Sequence, residues 1–479
     1  MPTRVAVLGL DGLCWPYLNK LLEHGAMPFT KALLQKSLKT ELYSYPPSTM
    51  PAWTSIMTGV NPGKHGVFGF YALDPRRGVK RMYSANDLGH PRVHEMLAMQ
   101  RVPSIAINPV PPHPLIPMKN LHVLVHHFLA PKAAYYPRSL SKYLRALEEI
   151  PLITPQDPDM AFKHYVLKVQ VIKGLVEELM ARLEDWRLFW LMLEVPDHLL
   201  HRVPTLLDEF YPCEATIFKT VDDIIRMMVE YSDYLIIVSD HGFTKCENFI
   251  SVNDVLVKNG LAIPQTWREI KERGFRMSPS LYRLAKKLLP TPLRKLLKAA
   301  YKKVKGRNLQ IRLPSVDMVG SKAFMYDNHS YGVYIRDEAV RNRVMKCLSR
   351  VPGLKVLERE KVYWGRKKGR APHIMLYPDF DGGYNLANPW ITGLVIIKRR
   401  RLYHHPLGVL MLYPNNLPVN IPHRMYTYHV APLIMSLLDL PLSHVHDAEW
   451  IATSQNLADY VGKWDTLRRI YRTKRRMLI

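Results

Sequence analysis

Apolar runs of strand length alternate along this chain with stretches whose apolar residues recur every three to four positions. The runs Val5–Leu10, Ser104–Asn108, Leu121–His127, Leu188–Leu193, Tyr234–Ser239 and Gly408–Leu412 predict strands. Between them, Phe162, Tyr165, Val166, Val169, Ile172, Val176, Leu179, Met180 and Leu183 keep the helical period and predict one long helix over residues 159–184. Such alternation predicts an α/β protein with a mostly parallel central sheet and helices on both faces. A short strand at Gly332–Ile335, a helix near Glu338–Leu348 and a strand at Leu354–Leu357 predict a small α+β subdomain within about 322–400. Residues 262–316 break the pattern. From Ser278 to Gly306 they read as one or two basic amphipathic helices interrupted by Leu289-Pro290-Thr291-Pro292, an insertion expected to cap the functional edge of the sheet. The expected organisation is a discontinuous core of 1–261 and 317–460, the insertion 262–316, and a basic C-terminal tail, 461–479.

Composition narrows the classes. A hydrophobic content of 47% over 479 residues excludes wholesale disorder and allows a large core. No apolar run approaches the roughly 20 residues that span a bilayer. Val5–Leu10 leads directly into Asp11, so a cleavable leader is not expected. Four cysteines (Cys14, Cys213, Cys246, Cys347) stand far apart with no CxxC pair, which argues against a disulfide framework or a zinc ribbon. A reducing cytoplasm is the expected compartment. Net charge is +26, and residues 262–316 contribute 15 Lys/Arg against Glu269 and Glu272. Arg468, Arg469, Arg472, Lys474, Arg475 and Arg476 add a second cluster. These segments read either as a solvated surface or as contacts for an anionic membrane or nucleic acid.

The chemistry lies where three strands run out. Asp11 follows the first, Asp197 with His201 follows another, and Asp240-His241 follows a third. Ligands of open α/β sheets bind just beyond the carboxyl ends of the strands. Repeated carboxylates and imidazoles there point to a polynuclear metal site suited to phosphoryl chemistry. Asp197 and His201, four apart, face the same way on a first helical turn. Between the first two aspartates, Tyr45-Pro-Pro-Ser-Thr49-Met-Pro51-Ala-Trp-Thr-Ser-Ile-Met57 reads as a helix start with Pro51 in its first turn. Thr49 then stands just before the helix N-terminus, where an anion is favoured; the plainer alternative is an N-cap threonine.

Taken together, Asp11-Gly12, Thr49-Met50-Pro51, Asn61-Pro-Gly-Lys-His-Gly66, Asp197 with His201, Ser239-Asp240-His241-Gly242 and a late histidine near Gly408 resemble, in identity and order, the type I phosphodiesterase/nucleotide pyrophosphatase family of the alkaline phosphatase superfamily. The resemblance runs over nearly the whole chain. It implies an alkaline-phosphatase-like fold, a threonine nucleophile (Thr49) and two divalent metals, usually zinc, bridged by the phosphoryl group of an anionic phosphoester. Carried over by position, Asp11, Thr49, Asp240 and His241 would hold one metal; Asp197, His201 and His404 the other. Three carboxylates and three imidazoles suit zinc, and also manganese or iron.

Two departures qualify that reading. The family shows His-Arg-Pro before its late glycine, whereas this chain has His404-His405-Pro406-Leu407-Gly408; the spacing favours His404, with His405 as substrate contact or structural residue. Nucleotide pyrophosphatases commonly carry asparagine after the proline, and this chain has Ala52, which weakens the case for a nucleotide-type substrate. The remaining histidines, among them His65, His126, His127, His164, His329 and His429, are expected to be structural, and His198 to point away from the site. Sulfatase chemistry is disfavoured because Thr49-Met-Pro-Ala-Trp53 lacks the Cys/Ser and Arg of that signature. A phosphomonoesterase, a phosphotransferase, or a binding module for nucleic acid or anionic lipid on an inactive scaffold remain as alternatives.

Overall fold

A computed structural model of the protein describes residues 2–74, 78–265, 276–277, 309–310, 315–451 and 457–477. Most of the basic stretch 262–316, including the helices expected within 278–306, lies outside the described residues.

A nine-stranded sheet runs through the protein in the order Met425–Tyr426, Leu38–Tyr43, Leu407–Tyr413, Tyr234–Val238, Val5–Leu10, Leu188–Leu193, Ser104–Ile107, Leu121–Val125, Ala134–Tyr136. The five strands from Tyr234–Val238 to Leu121–Val125 are mutually parallel. Leu407–Tyr413 and Ala134–Tyr136 flank them antiparallel. Each expected strand is present within two residues of its sequence-based limits. The central strands are apolar at every position because both faces are covered. Ala6, Leu8 and Leu10, with Phe189, Leu191 and Leu193, enter one buried cluster. Val5 and Val7, with Leu188, Trp190 and Met192, enter the other.

Helices Trp15–Glu23, Pro158–Arg182 and Pro212–Tyr231 pack on the first face. The long helix matches the period read over 159–184, with Asp157 as its N-cap accepting from Met160 N–H. Helices Thr49–Thr58, Val93–Met99 and Val430–Leu437 cover the second face. Strands Ala323–Phe324, Gly332–Ile335, Ile374–Pro378 and Leu354–Glu358 form a separate antiparallel sheet backed by the helix Arg341–Leu348, with its own buried cluster.

The C-terminal segment expected as a basic tail is the helix Tyr460–Met477, with Tyr460 and Trp464 buried. Arg468 is buried too. It donates to the Asn86 and Leu88 carbonyls and lies over the Trp464 ring, so this cation serves packing rather than a charged surface. The Asn61–Gly66 motif is likewise structural. Asn61 Oδ1 accepts from Gly63 N–H, Lys64 pairs with Asp447, and His65 bonds Ser55, tying the end of the Thr49–Thr58 helix to residues 362–367 and 445–447. Among the described residues no helix is long and apolar enough to cross a membrane.

Candidate metal centre

Parallel register sets the three aspartates side by side. Leu10 pairs with Leu193 and Gly9 with Val238, so three neighbouring strands end level. Asp11 N–H donates to the Leu193 carbonyl, and Asp197 N–H to the Asp11 carbonyl, which locks the two exits together. Gly12 turns the chain there at φ +73°; a Cβ would lie 2.7 Å from Phe243 Cε2 and 3.0 Å from the Asp197 backbone. Its N–H donates to Asp240 Oδ1 at 3.2 Å. Only glycine meets both demands.

The late histidine arrives by a different route. Directly after His241 the chain enters the strand Gly242–Ile250, which pairs antiparallel with Ile396–His405. Phe243 opposite His404 and Gly242 opposite His405 is the register. His404 is thereby stacked on His241, with ring centroids 3.9 Å apart. His405 bonds Asp381 instead, at 3.1 Å.

Two groups of ligating atoms result: Asp11, Asp240 and His241, and Asp197, His241 and His404, each lying within 4.8 Å of one another. His241 Nε2 stands 3.6 Å from Asp11 Oδ1, 3.3 Å from Asp240 Oδ2 and 3.9 Å from Asp197 Oδ1. His201 joins the second group, its Nε2 3.4 Å from Asp197 Oδ1 and 2.8 Å from His404 Nε2. Among the described residues, buried Asp11 Oδ1, Asp197 Oδ1, Asp240 Oδ2 and His241 Nε2 find no hydrogen-bond partner. Buried polar atoms are ordinarily satisfied, so this convergence of negative and lone-pair-bearing atoms fits divalent cations. The far side of each ring agrees. His241 Nδ1–H donates to the Gly242 carbonyl and His404 Nδ1–H to the Pro47 carbonyl, which aims both Nε2 lone pairs inward.

Electrostatics follow from this crowding. Burial, then the charges of Asp240 and Asp197, push Asp11 well above the usual carboxylate range. Asp240 is raised by burial and by Asp197. Asp197 goes the other way: against the upward push of burial, His201 and His404 hold it well below the ordinary value. Burial and neighbouring His404 depress His241, keeping it in the neutral form that ligates.

Thr49 is the first residue of the helix Thr49–Thr58, with Ser48 as an extended N-cap whose side chain makes no cap bond. The helix thus begins two residues earlier than Pro51 alone suggested, and Pro51 takes its third position, where a missing N–H still costs no helical bond. Thr49 is bracketed from both sides. One turn on and on the same face, Trp53 Nε1–H donates to Asp11 Oδ2 at 3.3 Å. Two residues back, the Pro47 carbonyl receives His404. The start of the Thr49–Thr58 helix is thus tied to both groups of ligands, to Asp11 through Trp53 and to His404 through Pro47.

Among the other histidines, His198 bonds Thr154 and Tyr165 and points away from the site. His65 bonds Ser55, and His126 bonds the Ile150 carbonyl. His329, expected to be structural, is brought beside the late histidine. It lies at the centre, its ring 5.9 Å from that of His404 and its Nδ1 3.5 Å from Ser48 Oγ. Nothing local in Asp327-Asn-His-Ser330 distinguishes it from a turn. A second feature without a sequence-based expectation is the buried pair Lys168–Glu194 behind Asp197. A glutamate closing an otherwise apolar strand was the available signal for it.

A family model described as type I phosphodiesterase/nucleotide pyrophosphatase matches residues 5–388. No curated protein sequence matches the chain. Among solved structures, phosphonoacetate hydrolase from Sinorhizobium meliloti 1021 in complex with phosphonoformate is similar at a TM-score of 0.60 and 15% identity, over 91% of this chain and 96% of that one. The same hydrolase with phosphonoacetate gives 0.58 and 14%, over 91% and 96%. Murine ectonucleotide pyrophosphatase/phosphodiesterase 5 gives 0.48 and 15%, over 97% and 99%. The fold is the alkaline-phosphatase-like α/β architecture expected. With the family model spanning most of the chain, including the three strand-end aspartates and the Thr49 helix, the chain belongs to the type I phosphodiesterase/nucleotide pyrophosphatase family of phosphoester hydrolases.

Proposed function

We propose that the protein hydrolyses a phosphodiester or pyrophosphate bond with Thr49 as nucleophile, at a centre for two divalent cations. The observation that carries this reading is the convergence of four unpartnered buried atoms from Asp11, Asp197, Asp240 and His241 beside the helix that starts at Thr49. Asp11, Asp240, His241 and Thr49 would hold one cation, and Asp197, His201 and His404 the other. The donor set supports zinc, with manganese or iron as alternatives. Bound there, such cations supply Lewis acidity at the phosphoryl oxygens and favour deprotonated oxygen nucleophiles.

The chain's own residues do the rest. Thr49 Oγ attacks phosphorus in line, and the ester or phosphate oxygen opposite departs. The Thr49 ester so formed keeps the substrate's remaining substituent on phosphorus, and water entering from the leaving-group side, that of Asp197, His201 and His404, opens it to release the phosphate product and free Thr49. Met50 N–H, second in the helix, belongs to the donors that a helix leaves without an internal acceptor, and it offers one hydrogen bond to a phosphoryl oxygen. Burial of the three aspartates excludes competing water. Four unpaired cysteines, two of them buried, support a reducing compartment such as the cytoplasm.

Metal-reconstituted protein should cleave bis-p-nitrophenyl phosphate. Thr49→Ala should abolish turnover while metal content stays near that of the wild type. Turnover undiminished in that variant would remove Thr49 from the nucleophile role.

A further inference from the structure

The geometry points to His329 as a substrate-contacting residue whose Nε2–H donates to a non-bridging oxygen of the phosphoryl group held beside Thr49. This rests on the proposed phosphoester chemistry and adds a residue from a distant segment to the site.

The turn that carries His329 is clamped onto the metal centre. The buried Asp327 carboxylate accepts from Phe70 N–H at 2.9 Å and from His329 N–H at 3.0 Å. Phe70 meets the His329 ring edge-on, with centroids 4.6 Å apart. Next door, Asn328 Nδ2 donates to the Tyr403 hydroxyl at 3.0 Å, and Tyr403 stacks on His404. Backbone, ring and neighbour are thus all fixed against the site, an arrangement that positions a ring rather than merely fills space.

The proton count on that ring is informative. His329 Nδ1 lies 3.5 Å from the hydroxyl of Ser48, the residue immediately before Thr49. With Ser48 donating to Nδ1, the neutral ring carries its proton on Nε2. Among the described residues Nε2 meets no hydrogen-bond partner, and it is not wholly buried. In that tautomer Nε2 is an N–H donor left for a ligand.

The site needs such a donor. Pro51 has no N–H, Ala52 N–H is spent on the Ser48 carbonyl at 3.0 Å, and Trp53 Nε1–H is spent on Asp11. Among the described residues, the ion-pair partners of Asp11, Asp197 and Asp240 are all histidines, despite a net charge of +26. The non-bridging oxygens of a phosphoryl group at Thr49 therefore find Met50 N–H on the backbone and His329 as a side-chain donor. The ligand class is a phosphate ester with a free non-bridging oxygen facing the Asp327–Ser330 turn.

The test uses metal-loaded wild-type protein, His329→Ala and His329→Gln, whose amide nitrogen reaches about as far as Nε2. Inorganic phosphate binding is measured by equilibrium dialysis, alongside bis-p-nitrophenyl phosphate turnover and metal content. Removing a hydrogen bond to a charged oxygen should weaken phosphate binding about tenfold or more in the alanine variant. It should lower kcat/KM in proportion, with metal content unchanged, and glutamine should restore most of both. Phosphate affinity within twofold of wild type in His329→Ala overturns the inference. So does a loss that glutamine does not repair and that accompanies reduced metal content, since that is a packing role. If wild-type protein binds phosphate but leaves the diester intact, the proposed function fails, and the phosphate arm still decides the role of His329.

Discussion

Replacing Lys168 with methionine should destabilise the protein by about 3–5 kcal/mol at pH 7, the usual cost of breaking a buried ion pair by removing one partner. Lys168 Nζ meets Glu194 Oε2 between side chains that are 2% and 1% exposed. Burial alone would raise Glu194; Lys168, followed by His127 and His198, instead brings it down to about 2, against an ordinary value of 4.5. That depression corresponds to about 3 kcal/mol in favour of the folded state at neutral pH, in line with the figure for pair breaking. Because the folded value lies below the unfolded one, the contribution is present above pH 4.5 and is lost as pH falls toward 2. Without Lys168, Glu194 is a buried charge whose other hydrogen bond comes from Phe128 N–H, at 3.2 Å. Urea unfolding at pH 7 measures the loss. The double variant Lys168→Met, Glu194→Gln should recover a substantial part, since no charge is then stranded. Glu194 stands three residues before Asp197, so metal occupancy should fall in the single variant as well. A loss below about 1 kcal/mol, or a double variant no more stable than the single, would refute the reasoning.

Gly12→Ala forces a side chain to φ +73° and puts its Cβ 3.0 Å from Asp197. The backbone alone should cost about 1–2 kcal/mol in thermal unfolding, and Asp197 should shift enough to lower metal content; normal occupancy would argue against so tight a site. Metal affinity should fall on acidification. Asp11 and Asp240 are both held above the ordinary carboxylate value, so binding must displace any proton they hold. Affinity then weakens, by about tenfold per pH unit for each proton displaced, as pH drops through those raised values. Competition with a chelator over a series of decreasing pH values reads this directly, and an affinity that does not weaken on acidification would rule it out.

Local pattern carried much of the architecture. Strand and helix periods depend on near neighbours, so the core strands, the long helix ending at Arg182 and the small antiparallel sheet were all legible. So were the three aspartates, because a charge closing an apolar strand is visible in one dimension. The start of the Thr49 helix was less so: Pro51 marks a first turn without saying which of its positions the proline takes.

Register and long-range pairing decided the remainder. Whether His404 or His405 faces the ligands turns on the pairing of Gly242–Ile250 with Ile396–His405, since a slip of one residue would exchange the two faces. His329 enters from a segment 281 residues beyond Ser48, through bonds from Asp327 that no local spacing encodes. The composition of the candidate site is readable along the chain: strand-end carboxylates, a helix-initial threonine and histidines in a recognisable order. Tertiary structure alone decided which imidazoles meet which carboxylates and that Arg468 is buried, because contact across strands and layers depends on register and crossover, which adjacent residues do not specify.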